Sequence, residues 1–176
     1  MKKNYRVLFK TSEGNFEVEL NAENYPLTVT NFLENIKKDI YENKRFYKII
    51  NYPQGKVIHA GIFQEKNKFL DNNQVIDKRL PTIPLEISFS KTETIYGHNI
   101  KDLTEIENMR SLFKRGSIAM VKSGESNSSS TEFFFVTHKM PELHGRYSIF
   151  GHITNGFEVL ENIDNDDVIY KINITN

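Results

Sequence analysis

The sequence predicts a mainly β protein, a mostly antiparallel barrel or sandwich, and three observations carry that expectation. Seven or eight short apolar runs are strand-like, only two or three segments have helical spacing, and strands do not alternate with helices as a parallel sheet requires. The chain has 176 residues, the size of one domain whose core needs no staples. It carries 23 Lys+Arg against 23 Asp+Glu, no Cys, no Trp, 13 Phe and 8 Tyr. With no Cys there is no disulfide or thiolate–metal framework. A net charge of zero argues against a protein that coats nucleic acid or an anionic membrane. The start, Met1-Lys2-Lys3-Asn4-Tyr5-Arg6, is positive, but Val7-Leu8-Phe9 runs straight into Lys10. No signal-peptide apolar region follows, so a cytoplasmic location is expected. No apolar run approaches the ~20 residues of a spanning helix.

Residues 5–20 read as a hairpin. Tyr5, Val7 and Phe9 share one parity, Ser12-Glu13-Gly14-Asn15 turns the chain, and Phe16, Val18 and Leu20 alternate with two glutamates. After Pro26, the residues Val29, Phe32, Leu33, Ile36 and Ile40 fall at helical spacing. They predict an amphipathic helix over 29–40, with Thr28 or Thr30 as N-cap. Runs at 46–50 and 56–62 are strand-like, separated by the turn signal Asn51-Tyr52-Pro53-Gln54-Gly55. Residues 64–81 are polar and aperiodic, a loop, and 82–87 suit a strand. Leu103, Ile106, Met109, Leu112 and Phe113 suggest a short helix within 101–113. Strands are expected at 116–121, 132–137 and 148–153, with a Ser/Gly/Asn loop at 123–131. Phe157, Leu160 and Ile163 give a short helix after Asn155-Gly156, and 168–174 alternates as a closing strand. Beyond Ser128-Ser129-Ser130 there is no repeat, linker or low-complexity tract, so residues 1–176 read as a single domain.

The five histidines, at 59, 98, 138, 144 and 152, have no metal-ligand spacing, and neither a nucleophile elbow nor a phosphate-binding loop is present. Arg110, Lys114 and Arg115 suit a solvated face or a helix C-terminus. More informative are polar residues embedded in apolar strands: Tyr47 and Lys48 within 46–50, His59 within 56–62, and Glu132 beside Phe133-Phe134-Phe135. Alternation places Phe46 and Lys48 on one face and Tyr47 and Ile49 on the other, while Glu132 shares a face with Phe134. Two explanations stay open at this point. The polar residues are solvent-facing positions of half-buried strands, or they rim a shallow groove with an apolar floor.

Taken in order, the segments resemble the cyclophilin family of peptidyl-prolyl cis/trans isomerases. Pro26-Leu27-Thr28-Val29-Thr30-Asn31-Phe32 is similar to the family's "P-x-T-V-x-N-F" helix start. Phe46-Tyr47-Lys48-Ile49-Ile50 resembles its "F-H-R-V-I" strand, and Val57-Ile58-His59-Ala60-Gly61 its "M-I-Q-A/G-G" strand. Arg115-Gly116-Ser117-Ile118-Ala119-Met120, Ser130-Thr131-Glu132-Phe133-Phe134-Phe135 and Leu143-His144-Gly145-Arg146-Tyr147-Ser148-Ile149-Phe150-Gly151 have counterparts in the same order. So does the closing 156–163. Each motif is weak alone; the ordered series is specific. Only residues 64–113 lack counterparts and read as an atypical insertion.

The resemblance implies a closed, eight-stranded antiparallel β-barrel capped by two or three helices. It also implies an isomerase acting on Xaa-Pro bonds in proline-containing peptides or unfolded proteins, as a monomer without cofactor or metal. It places Phe46, Val57, Met120, Phe134, Leu143 and Tyr147 around the proline ring, and Lys48, His59 and Glu132 at the catalytic polar positions. Those three depart from the family pattern: Lys48 stands for arginine, and His59 and Glu132 for glutamines. Lys56 falls where a pocket phenylalanine is usual, and Glu142 where Trp or Phe is frequent, which argues against cyclosporin binding. Lysine lacks arginine's planar fork, and Glu132 is placed to pair with Lys48 and divert it from substrate. The expectation is an isomerase of weakened activity; the alternative is an inactive peptide- or protein-binding module or folding helper. An open floor of Phe134 and Met120 with Lys48 pointing inward favours the enzyme, whereas a floor covered by Lys56, Glu142 or the insertion favours the binder.

Overall fold

Strict alternation fixes the opening hairpin. In the computed structural model, which describes residues 4–62, 70–71, 74–75, 81–90 and 93–175, β1 (Asn4–Thr11) pairs with β2 (Gly14–Asn21). Val7 lies opposite Val18 and Phe9 opposite Phe16, all four buried, and the two phenylalanine rings stack 4.7 Å apart. Helix α1 (Pro26–Lys37) then buries Val29, Phe32, Leu33 and Ile36 against the sheet. It begins earlier than its spacing suggested, because Pro26 suits the first turn, and Asp39, with φ at +52°, turns the chain away soon after Lys37. Neither Thr28 nor Thr30 is the N-cap. Tyr25 holds that position without a side-chain bond, and the buried Glu86 carboxylate instead accepts from the N–H groups of Leu27 (3.2 Å) and Thr28 (2.8 Å).

The remaining strands are β3 (Lys44–Arg45), β4 (Lys48–Tyr52), β5 (Gly55–Ala60), β6 (Leu70–Asp71), β7 (Gln74–Val75), β8 (Thr82–Pro84), β9 (Glu86–Ile87), β10 (Ile95–Tyr96), β11 (Ser117–Lys122), β12 (Asn127–Val136), β13 (Ile149–Asn155) and β14 (Val168–Ile174). Two short helices, α2 (Leu103–Glu107) and α3 (Phe157–Asn162), and a 3-10 turn at Pro141–Leu143 complete the described elements. The main sheet runs β3-β14-β1-β2-β13-β11-β12-β5-β4, with β8 also on β12, and its pairs are antiparallel. Small two-stranded sheets join β6 to β7 and β9 to β10.

The expected closed, eight-stranded barrel is corrected to a strongly curled sheet of ten strands. Its two ends, β3 and β4, are consecutive in the chain. Strand geometry breaks between them at Phe46-Tyr47, where the chain leaves β14 for β5: the N–H of Phe46 donates to Asp167 O (2.9 Å) and that of Tyr47 to His59 O (3.1 Å).

Other differences have local causes. The predicted 101–113 helix shrinks to five residues, started by Asp102, whose carboxylate accepts from the N–H groups of Thr104 and Glu105. It stops where Met109 bridges Phe89 instead. The predicted 123–131 loop is strand from Asn127 onward, because Asn127, Ser128 and Ser129 find ladder partners on β8. The loop predicted at 64–81 contains β6 and β7, and its residues 64–69, 72–73 and 76–80 lie outside the described set. The core inside the curl is aromatic: Phe32 and Tyr41 meet Phe133 edge-on at 5.3 and 5.2 Å. Among the described residues, no helix is long and apolar enough to cross a membrane.

Candidate functional site

Because strand side chains alternate, the strands that enclose this core carry a second set of residues on the outer face of the sheet. Across four strands these align in one row. Lys48 on β4 lies opposite His59 on β5, His59 opposite Phe134 on β12, and Phe134 opposite Ala119 on β11. The parallel row Ile50, Val57 and Val136 shares that face, whereas Ile49, Ile58, Phe135 and Ile118 pack with the core. The outer rows form a separate apolar cluster in which Val57, Ala119, Phe134 and Val136 are joined by Phe113, Met140 and Ile149, with Leu143 and Tyr147 packed against them.

Phe134 is the centre of this cluster and only 2% exposed. His59 and Phe113 both stack on its ring, at 5.4 and 5.7 Å, and Tyr147 meets it edge-on at 5.1 Å. Phe113 also stacks on His144 and packs edge-on against Tyr147. Next to Phe134 along β12, Glu132 accepts a 3.1 Å hydrogen bond from the Tyr47 hydroxyl, and the Glu132 N–H donates to Ser129 Oγ at 3.1 Å.

Partial burial sets the protonation of these groups. The Glu132 carboxyl is raised from its ordinary value by burial, against the opposing hydrogen bonds from Tyr47 and Ser129. Burial, then the Glu132 charge, pushes the Tyr47 phenol far up. Burial, then the Lys48 charge, lowers the His59 imidazole to about 4. At neutral pH His59 is therefore a neutral imidazole, one nitrogen donating and one accepting.

The structure brings together Lys48, His59, Val57, Phe134, Leu143 and Tyr147, with Glu132 beside them. It does not bring Phe46 or Met120 there. Both are fully buried in the main core, Met120 because it has the opposite parity to Ala119 on β11, and Phe46 because the alternation read for 46–49 breaks at the strand switch. The expected pairing of Glu132 with Lys48 is replaced by the Tyr47–Glu132 bond, and among the described residues no hydrogen bond or ion pair joins Lys48 to Glu132. Lys56 is also elsewhere: its Nζ donates to the carbonyls of Glu161 (2.9 Å) and Ile163 (3.1 Å) at the end of α3. Glu142 is exposed on the 3-10 turn. Sequence reasoning missed Phe113, which it assigned to a helix, and Ala119, which the parity of β11 relative to Phe134 could have exposed. Among the described residues, no three His, Asp or Glu side chains converge as metal ligands.

An apolar surface flanked by an ammonium, a neutral imidazole and a hydroxyl–carboxyl pair suits an apolar ring carried on a polar backbone. Comparison with known proteins agrees with this chemistry. A family model described as cyclophilin type peptidyl-prolyl cis-trans isomerase/CLD matches residues 6–175. The chain is 28% identical over 149 residues to peptidyl-prolyl isomerase cwc-27 of Neurospora crassa, covering 83% of this chain and 27% of that protein. It is 27% identical over 165 residues to a peptidyl-prolyl cis-trans isomerase of Helicobacter pylori, covering 93% of this chain and 82% of that one. The chain thus spans about a quarter of the length of the fungal relative and most of the bacterial one. Among solved structures it is similar to a Cryptosporidium parvum cyclophilin type peptidyl-prolyl cis-trans isomerase determined in the presence of the dipeptide Ala-Pro. That match has a TM-score of 0.65 and 26% identity, and covers 97% of this chain and 99% of the other.

Proposed function

Since the chain belongs to the cyclophilin-type peptidyl-prolyl cis-trans isomerase family, we propose that it isomerises Xaa-Pro bonds in protein substrates, at a rate lowered by the exchanges at Lys48, His59 and Glu132. The single observation that carries this reading is the row Lys48–His59–Phe134 across β4, β5 and β12, which sets polar groups beside an apolar surface. The same reading takes residues 1–176 as one domain with 64–113 as an insertion.

Rotation about a peptide bond meets a barrier of ~18–20 kcal/mol because resonance stiffens the C–N bond, and the prolyl bond isomerises slowly for that reason. A catalyst must favour the twisted state, in which the nitrogen lone pair is localised and the carbonyl has lost its conjugation. No bond is broken, so shape and fixed dipoles suffice. Here the proline ring would lie against Leu143 and Tyr147, two partly buried members of the cluster that packs around Phe134 and Val57. The Lys48 ammonium would donate toward the prolyl nitrogen or the substrate carbonyl, but not to both at once as a guanidinium fork does. His59 supplies one N–H donor, and the Glu132 carboxylate supplies none when ionised.

A protease-coupled assay on a proline tetrapeptide tests this. Activity well below an arginine-bearing cyclophilin, with a several-fold gain in kcat/KM for Lys48→Arg, is the expected result. Wild-type activity equal to such an enzyme would remove the weakened-enzyme reading.

One observation favours a second reading, a groove that holds a partner without turnover. Phe134 is covered, and one of the rings stacked on it, Phe113, comes from the 64–113 segment. Saturable peptide binding with no acceleration of cis/trans exchange would select this reading over the first.

A further inference from the structure

The curled sheet ends in β3 and β4, which follow each other in the chain, and one turn grips both sides of the break between them. That turn, residues 164–167, joins α3 to β14. Its own side chains close it: one Asp167 oxygen accepts from the Asp164 N–H and the Asp164 carboxylate from the Asn165 N–H, both at 2.8 Å. Asp166 sits at φ +74°, a left-handed conformation that Asp tolerates better than most residues. The second Asp167 oxygen accepts from the Ser12 hydroxyl at 2.8 Å, which ties the turn to the β1–β2 hairpin. On the β3 side, the Phe46 N–H donates to Asp167 O at 2.9 Å and the Asp166 N–H to Phe46 O at 3.4 Å. Arg45 also reaches Asp166 at 2.9 Å, an exposed ion pair that contributes little. On the β4 side, the Ile49 N–H donates to Asn165 Oδ1 at 3.2 Å. Alternate N–H groups of an edge strand point away from its neighbour, and among the described residues β4 pairs with β5 alone. Asn165 therefore supplies an acceptor that no strand provides.

We propose that Asn165 is a positioning residue for catalysis: it carries the hold of this turn across the break to Ile49, and so fixes the backbone from which Lys48 reaches the substrate. The inference rests on the reading that Lys48 is the cation acting on the twisting prolyl bond. Lys48 is exposed, and among the described residues its ammonium makes no ion pair. A cation on a flexible four-carbon stem with no side-chain partner is placed by its main chain alone. That main chain is held at Phe46 and Ile49 by residues 164–167, and at Tyr47 by His59 O. Without the Asn165 acceptor, β4 keeps its ladder to β5 but loses the hold on its other edge. The Lys48 ammonium then spreads over more positions around the substrate. The apolar surface at Leu143 and Tyr147 belongs to another part of the chain and depends on none of these bonds. Peptide affinity therefore stays while the rate falls.

The test uses the full chain with Asn165→Leu, close in size, and Asn165→Ala, each made alone and together with Lys48→Met. Both remove the acceptor at an exposed position. Cis/trans exchange of a proline tetrapeptide is read by NMR, at enzyme concentrations high enough to measure slow variants. Affinity is read by fluorescence anisotropy and folding by urea denaturation. Both Asn165 variants should slow exchange at saturating peptide about fivefold, with affinity and urea midpoint close to wild type. Neither should slow it further once Lys48 is replaced by methionine. Slowing by Lys48→Met, with wild-type rates for both Asn165 variants, would overturn the positioning role and leave Lys48 as the acting cation. An equal fold-loss from Asn165→Leu with and without Lys48→Met would also overturn it, because the turn would then act on the fold and not through Lys48. A wild-type rate for Lys48→Met would overturn this role and that of Lys48 together, and no exchange by the wild type would remove the isomerase reading with them.

Discussion

Lowering the pH from about 7 to about 4 should destabilise the fold through His59. Burial, reinforced by the Lys48 charge directly across the β4–β5 ladder, lowers its imidazole from 6.5 to about 4. Because the folded value is the lower one, the native state binds fewer protons than the unfolded chain between those two values. The contribution of His59 to stability is therefore complete above 6.5 and is lost as pH falls toward 4. At about 1.4 kcal/mol for each pH unit, the interval is worth about 3 kcal/mol, a large share of a typical domain's stability. Glu132 works in the opposite sense. Its folded carboxyl is raised, so its contribution is present below the unfolded value of 4.5 and is lost as pH rises through the folded value. Urea denaturation of the wild type and of His59→Gln across this range separates the two, since glutamine does not titrate and Glu132 is common to both. The wild type should lose about 3 kcal/mol more than the variant between neutral pH and pH 4, and an NMR titration of the His59 ring should have its midpoint near 4. Parallel stability curves for the two proteins, or a His59 midpoint above 6, would refute the reasoning.

Two further outcomes follow from burial. Glu86→Ala removes both acceptors from the first turn of α1 and the charge that complements its dipole, and should cost about 3 kcal/mol in urea denaturation, with Glu86→Gln recovering part of it. An unchanged midpoint would show that the helix start is held by its packing alone. Phe113→Ala should cost about 3–5 kcal/mol of stability while uncovering Phe134, and so tighten the binding of an Ala-Pro peptide. Phe113→Leu should do both to a smaller degree, and peptide affinity that stays constant through both variants would sink the covering role.

The periodicity of the sequence carried the strands well, because period-two alternation survives wherever one face is buried and the other is not. It carried β1, β2, β5 and β14 for that reason. Boundaries failed where a distant partner decided the outcome. Asn127, Ser128 and Ser129 have turn composition, yet they are strand because β8 arrives to pair with them. The first turn of α1 is capped by Glu86, 58 residues beyond Thr28, and no local capping pattern contains that information. The apolar set at 103–113 had helical spacing, but its buried members divide between two clusters: Met109 packs with Leu85, Ile87 and Phe89, while Phe113 packs with Phe134.

The site was legible as a set of positions and less so as a geometry, and the cause is parity. Lys48, His59 and Phe134 share a row because each is directly opposite the next, whereas Met120, though close in any motif, belongs to the other face of the same strand. A motif names neighbours along the chain, but the groove is assembled across it. That division also constrains the chemistry. The polar exchanges at 48, 59 and 132 lie on the outer face, so they leave the aromatic core untouched and are borne only by the desolvation they suffer there. Burial drives Tyr47, His59 and Glu132 each toward its uncharged form. Lys48, exposed at the end of the row, is then the group best placed to impose a field on a twisting prolyl bond. If so, catalysis should respond far more to the shape of that one cation than to any substitution at His59. Rates from Lys48→Arg and His59→Gln in the same coupled assay measure that difference directly, and a larger gain from the histidine change would place the limiting group on β5 instead.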